Sequence, residues 1–211
     1  MSADVPQLGT FAGRRILFVM ATEAEYGPHL RKLIQPVNTG VGPVEAAIGT
    51  TRALTALDDG GSLPDLVISL GSAGSNRLEQ GAVYQVATVS YRDMDASPLG
   101  FTKGATPFLD IPVEIALPIR LHEIPVARLS TGANIVTGHG YEAIDADMVD
   151  MESFAVLRAC QSFGVPMIGL RGISDGAHEL RHYSDWTALL GHLDEDLAKI
   201  IGRLGELLPP A

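Results

Sequence analysis

Acidic residues stand beside serines and glycines at several points where an apolar run ends. Met148-Val149-Asp150-Met151-Glu152 sets two acids in an apolar context just ahead of a helical pattern. Arg171-Gly172-Ile173-Ser174-Asp175 brings a cation, a hydroxyl and an acid directly after the apolar run Met167–Leu170. Leu70-Gly71-Ser72-Ala73-Gly74-Ser75 offers backbone N–H groups and hydroxyls, and Glu23 and Glu25 follow the run Ile16–Met20. A carboxyl group works as a general acid when burial raises its pKa, and as a base when it stays ionised beside water. Asp150 and Glu152 also carry a purely structural reading, since a carboxylate at a helix start is a cap. One such cluster is a satisfied loop. Several at strand ends form one site, because ligands of open parallel sheets bind beyond the carboxyl ends of the strands.

Two further motifs point elsewhere. His178-Glu179-Leu180-Arg181-His182 matches the H-E-x-x-H pattern of zinc proteases in letter. A third His is absent at the extended spacing, Gly176 lies just upstream, and Tyr183-Ser184-Asp185 starts a new helix at once. We read the segment as a solvated loop with no metal. Thr39-Gly40-Val41-Gly42-Pro43-Val44 has a Gly-x-Gly ahead of a helix, but it lacks the third glycine of a dinucleotide fingerprint. Pro43 suits the first helical position. A tight strand-to-helix turn that approaches a small ligand is the expectation.

The elements that must position these groups are legible from periodicity. Ile16–Met20 is a short wholly apolar run, and similar, mostly apolar runs at Leu66–Leu70, Val83–Val89, Ile124–Leu129 and Met167–Leu170 read with it as strands covered on both faces. Helical patterns lie at Val44–Leu57, Tyr141–Asp147, Phe154–Phe163 and Trp186–Leu208. The last carries a stripe of Leu189, Leu190, Leu193, Leu197, Ile200, Ile201 and Leu204. Alternating buried strands and amphipathic helices predict an α/β fold with a largely parallel sheet. Residues 1–13 read as a loose tail and 14–211 as one domain. Asp93–Pro118 fits neither period, and at that length a binding role is the better expectation.

Composition narrows the class. The 211 residues include 46% apolar and only 19% charged side chains, enough for a large core. Fifteen Lys and Arg against 25 Asp and Glu leave a net charge of −10, which disfavours nucleic acid and anionic membrane surfaces as partners. Cys160 is the single cysteine and sits in an apolar run, as expected of a buried thiol in a reducing, cytoplasmic compartment. No apolar stretch approaches the roughly 18 residues of a membrane span, and no secretory signal is visible.

Taken in order, Gly71-Ser72-Ala73-Gly74, Val149-Asp150-Met151-Glu152 and Arg171-Gly172-Ile173-Ser174-Asp175-Gly176-Ala177 resemble the purine nucleoside phosphorylase/uridine phosphorylase superfamily. The resemblance runs from about Arg15 to the C-terminal helix. It is strongest to the 5′-methylthioadenosine/S-adenosylhomocysteine nucleosidases, whose water-activating Glu lies in a stretch similar to Met20-Ala21-Thr22-Glu23-Ala24-Glu25. Tyr91-Arg92-Asp93-Met94-Asp95 and Leu99-Gly100-Phe101 resemble those hydrolases after the middle strand. The resemblance implies a single-domain three-layer α/β/α sandwich with a mixed, largely parallel sheet.

It also implies roles. Asp175 becomes the general acid on purine N7, oriented by Ser174. Glu25, with Glu23 as the alternative, activates water with support from Arg171 and Ser72. Glu152 accepts the ribose hydroxyls and Met151 packs on the sugar. Gly74 lines the site, no metal or organic cofactor is involved, and a nucleoside is the small-molecule partner. A homodimer is implied as well, with Phe101 and Phe108 closing the neighbouring 5′ pocket. Two departures stand out. The chain between Glu25 and Gly40 is short, and the family's Ser-Gly-Asp-x-Phe appears here as Thr131-Gly132-Ala133-Asn134-Ile135. Ile135 and Val136 then fall at the base-contact positions, with Tyr183 or Trp186 as candidates to restore stacking. Futalosine hydrolases share a similar Thr-Gly-Val-Gly-Pro turn and are the nearest rival. A phosphorylase and a non-catalytic nucleoside-binding protein follow.

Overall fold

In the computed structural model, residues 5–176 and 182–210 are described. Five strands occupy the apolar runs: β2 (Arg14–Met20), β4 (Leu66–Gly74), β5 (Val83–Tyr91), β7 (Val126–Thr131) and β9 (Met167–Asp175). β2 starts two residues ahead of its run, at Arg14, and β4 and β9 continue four and five residues beyond theirs, through Gly71–Gly74 and Arg171–Asp175. The polar residues at strand ends are therefore still in the sheet.

Four short strands complete it: β1 (Gly9–Phe11), β3 (Val37–Asn38), β6 (Glu114–Ala116) and β8 (Met148–Asp150). β4 pairs parallel with β2 and β9, and β5 parallel with β7, which pairs parallel with β8. β9 pairs antiparallel with β5, and β8 returns antiparallel to β4 through the single pair Gly74↔Val149. The circuit β4-β9-β5-β7-β8 thus closes on itself. Closure brings the ends of β4, β8 and β9 together at Gly74, Val149 and Asp175.

Two apolar layers sandwich the sheet. On one side α1 (Pro43–Asp59) and α2 (Ser153–Ser162) pack Leu54, Leu57, Val156 and Cys160 against Leu17, Val67 and Met167. On the other, α4 (Leu190–Gly202) and α5 (Leu204–Leu207) pack Leu197, Ile201, Leu204 and Leu207 against Ile16, Phe18, Ile68 and Ile168. Alternate residues of β2 and β4 serve the two layers, as the period of a strand requires. This is the mixed, largely parallel α/β/α sandwich expected.

The differences from periodicity are local. The stripe from Trp186 to Leu208 is one face but not one helix: α3 (Tyr183–Thr187), α4 and α5 are separated at Ala188–Leu189 and at Arg203. Gly202 and Gly205 beside the second break weaken helical continuity. Tyr141–Asp147 is not an α-helix, since 3₁₀ turns cover Gly138–Ala143 and Ile144 is extended. Residues 9–11, expected in a loose tail, pair with β2 through a two-residue turn at Ala12 and Gly13, both with positive φ. Asp93–Pro118 is irregular apart from a 3₁₀ turn and β6, which adds to the edge of β5. No helix among the described residues is long and apolar enough to cross a membrane.

Candidate active site

A cavity of about 520 Å³ opens at the ends of β4, β8 and β9. That volume is in the range of small-molecule sites, about 300–1,000 Å³. Glu25, Ser72, Gly74, Met151, Glu152 and Asp175 line it, as do Ile135 and Val136. Residues separated in sequence by up to 150 positions are thereby collected at one place.

The two candidate acids after β2 part company. Glu23 faces solvent, bonded to Arg31 and Asn38. Glu25 is 8% exposed and turns inward, accepting the backbone N–H of Ser72 at 2.7 Å and its hydroxyl at 2.6 Å. Burial raises the Glu25 pKa, while the two Ser72 bonds and the Arg171 charge pull it back. A side chain at Gly71 would press on the same carboxylate at 3.3 Å.

Asp175 ends β9, and Ser174 Oγ donates to its Oδ1 at 2.5 Å. Burial raises its pKa above the usual carboxylate range. Two glycines make room for it. A Cβ at Gly74 would stand 2.8 Å from Asp175 Oδ2 and 2.5 Å from the Tyr141 hydroxyl. Gly176 has φ of +113°, and a Cβ there would lie 2.2 Å from the Ser75 carbonyl oxygen. The bend at Gly176 thus needs glycine on both counts.

Glu152 precedes α2 and accepts the backbone N–H of Gly42 at 2.8 Å. Gly40 and Gly42 both hold φ of +93° in the turn before α1, and Val41 between them lines the cavity. The Gly-x-Gly turn therefore presents its backbone to a carboxylate of the site. Burial first, and the negative charge of Asp150 second, push the Glu152 pKa up to about 7. Glu152 does not cap α2. That task falls to Asp150, which accepts the Ser153 N–H at 2.9 Å.

Arg171 does not reach the cavity. It is 2% exposed and donates to Asp150 Oδ2, Ser69 Oγ, Ser153 Oγ and the carbonyls of Ser69 and Leu170. Its N–H groups are all engaged, so Arg171 acts on Glu25 only through space. Phe108 is also outside its own chain's cavity, 94% exposed and edge-on to Phe101 at 5.5 Å. Of the stacking candidates, Tyr183 and Trp186 both line the cavity, but Trp186 Nε1 donates to Ser72 Oγ at 3.0 Å and so lies at the Glu25 end. Ile135 is 68% exposed, whereas Val136 packs with Tyr141 and Val149 beneath the Asp175 end. The H-E-x-x-H segment lies outside the described residues except His182, whose backbone N–H bonds Asp185.

Periodicity did not single out Arg92, Tyr141 or Asn134. Arg92 clamps the 131–134 turn by donating to the carbonyls of Ser130, Asp150 and Asn134. Its sequence signals are a cation just past a strand end and its place in the Tyr91–Asp95 stretch of the resemblance.

The model of the phosphorylase superfamily matches residues 127–204, which hold β7 to α4 and the Asp150–Glu152 and Arg171–Asp175 clusters. The chain is 32% identical over 194 residues to a 5′-methylthioadenosine/S-adenosylhomocysteine nucleosidase of Actinobacillus succinogenes, covering 83% of this chain and 82% of that one. The chain belongs to the 5′-methylthioadenosine/S-adenosylhomocysteine nucleosidase family. The fold agrees with this nucleosidase membership. The Helicobacter pylori nucleosidase with butyl-thio-DADMe-Immucillin-A superposes with a TM-score of 0.72 at 19% identity, over 96% of this chain and 98% of that one. The futalosine hydrolase of the same organism gives 0.71 at 21% identity, over 89% and 95%. Both carry the same architecture.

Proposed function

We propose that this chain hydrolyses the N-glycosidic bond of 5′-modified adenosines, such as 5′-methylthioadenosine and S-adenosylhomocysteine, and releases adenine. One observation carries the proposal: a serine-held acid and a serine-held base face one cavity from the same edge of the sheet. Glu25 is bonded to Ser72, and Asp175 abuts Gly74. Residues 72 and 74 lie two apart on β4, about 7 Å along the strand, where its register against β9 shifts to meet Asp175. That gap suits a sugar with its leaving base on one side and its attacking water on the other.

In this scheme Asp175, whose pKa burial raises against the pull of the Ser174 bond, gives its proton to N7 of the departing purine. Ser174 holds the other carboxyl oxygen. The sugar becomes cationic as the bond lengthens, and the carboxylates around it stabilise that charge. Glu25 takes a proton from the water that attacks the anomeric carbon, while Glu152 accepts the ribose hydroxyls and Met151 packs beside the sugar. No metal or organic cofactor enters these steps.

A second reading, futalosine hydrolysis, is favoured by the Thr39-Gly40-Val41-Gly42-Pro43 turn, which resembles that of futalosine hydrolases and whose Gly42 N–H meets Glu152. A nucleoside panel assayed for free base separates the two. Adenine from methylthioadenosine is the expected result, and hypoxanthine released from futalosine alone contradicts it.

The proposal includes a cytoplasmic homodimer. Buried, free Cys160 supports the reducing compartment. Leu99, Phe108 and Leu109 are 80%, 94% and 53% exposed on one irregular stretch, an apolar surface suited to a second copy's 5′ pocket. Sedimentation should give a dimer at micromolar concentration. A fully active monomer contradicts it.

A further inference from the structure

Trp186 is the chain's single tryptophan, and it sits on α3 rather than on the sheet that carries the acids. Its indole N–H donates to Ser72 Oγ at 3.0 Å, and Ser72 Oγ donates to Glu25 Oε1 at 2.6 Å. The chemistry of the three groups makes this a directed chain. An indole N–H donates only, so it must occupy a lone pair of the serine oxygen. The hydroxyl has a single proton, and Glu25 Oε1 is the acceptor it meets. With the Ser72 backbone N–H also on Oε1 at 2.7 Å, that oxygen is doubly held. No described residue donates to Oε2. A hydroxyl that accepts one hydrogen bond donates a stronger one, so the indole reinforces the bond to the carboxylate.

We propose that Trp186 is a positioning residue for the water-activating base, fixing the Ser72 hydroxyl so that its proton always points to Glu25 and the free carboxylate oxygen faces the water. The inference rests on the hydrolase reading given above. It also ties α3, whose Tyr183 and Trp186 line the cavity, to the base. The charged and titratable neighbours are Arg171 on β9, Asp150 on β8 and Glu152 before α2, which act on Glu25 through space, and His182, Tyr183 and Asp185 around Trp186.

The test is the pH dependence of adenine release by wild type, Trp186→Phe, Ser72→Ala and the double variant, with circular dichroism confirming the fold of each. Trp186→Phe keeps the ring and removes the donor. It should lower kcat about three- to tenfold, the size of one hydrogen bond, with KM changed less than about twofold, and move the acid limb of kcat/KM upward. In the Ser72→Ala background the same change should add almost nothing, since the relay is already cut. Because Trp186 is the sole indole, wild-type tryptophan fluorescence should show an inflection at the pH of that limb, lost in Glu25→Gln. A Trp186→Phe variant with the wild-type limb and kcat overturns the proposal. So does an equal, additive loss in the Ser72→Ala background, or an inflection that survives Glu25→Gln. Failure of wild type to release adenine counts instead against the hydrolase reading.

Discussion

Asp150 and Glu152 stand two residues apart and are held in opposite ways. Asp150 is bonded to Arg171, Thr131 and the Ser153 N–H, wholly within the protein. Among the described residues Glu152 is bonded to the Gly42 N–H, and it otherwise lines the cavity. Its pKa is raised to about 7 from the ordinary 4.5. A carboxyl with a raised folded pKa contributes stability that is complete below its unfolded pKa and lost as pH rises through the folded value. Glu152→Gln keeps an acceptor for Gly42 and removes that loss. We expect its melting temperature to exceed wild type above about pH 7, by about 2–4 °C per kcal/mol relieved, and the gap to close near pH 5. Activity on ribonucleosides should fall through the loss of a charge-assisted acceptor, with 2′-deoxy substrates affected less. Thermal melts across pH, paired with both substrates, check the two halves.

Asp175→Asn retains shape and the Ser174 bond but cannot transfer a proton. Turnover should drop about 10²–10⁴-fold with the fold intact. Steady-state adenine release and circular dichroism together give the answer; near wild-type turnover would remove Asp175 from the acid role.

How much of this arrangement could be seen in the chain alone depends on the range of the interactions. The central strands were visible because five runs are mostly apolar, Ile16–Met20 and Leu66–Leu70 being buried along their whole length. Their extensions were not, because Gly71–Gly74 and Arg171–Asp175 carry the polar residues of the site in place of the strand's own pattern. Local spacing cannot choose between Glu23 and Glu25. A bond to Ser72, 47 positions away, makes that choice. Arg171 stood out as a cation at a strand end, yet its partner lies 21 residues back on a strand of three residues, too short to announce itself. The C-terminal stripe reported which face is buried and could not report where the helix axis breaks.

Arg171 joins β9 to β4, β8 and the start of α2 through one buried guanidinium. Arg171→Met leaves Asp150, 6% exposed, without its cation. A broken buried pair costs about 3–5 kcal/mol, and Arg171→Lys should recover only part because an ammonium cannot reproduce the planar fork. Urea denaturation measures both, and a wild-type midpoint for Arg171→Met would contradict the arrangement described.

Asp194 on α4 is 1% exposed and accepts the N–H groups of His29 and Leu30 at 2.8 and 3.1 Å, besides His29 Nδ1 at 2.9 Å. It closes the turn that follows Glu25, and Gly27 leaves it room, since a Cβ there would stand 2.5 Å from its carboxyl carbon. Asp194→Ala orphans two backbone donors at a cost of about 1–3 kcal/mol. We expect lower stability and a fall in kcat greater than any change in KM, because the turn that carries the proposed base loosens while its Ser72 bonds and the rest of the cavity are intact. Denaturation and Michaelis–Menten analysis of the same sample test this.

In the reaction proposed, water rather than phosphate is the nucleophile. A phosphorylase needs cations around a dianion. Here the loop after β2 turns Glu25 inward, and the nearby guanidinium of Arg171 is committed to Asp150. A carboxylate a few ångströms from phosphate is repulsive in a partly buried site, while beside water it is a base. The measurement is adenine release from methylthioadenosine in phosphate-free buffer and again with added phosphate, with the sugar product identified each time. We predict equal rates, free methylthioribose as the product in both, and loss of activity in Glu25→Gln but not in Glu23→Gln. Dependence on phosphate, or a sugar 1-phosphate product, would contradict the account.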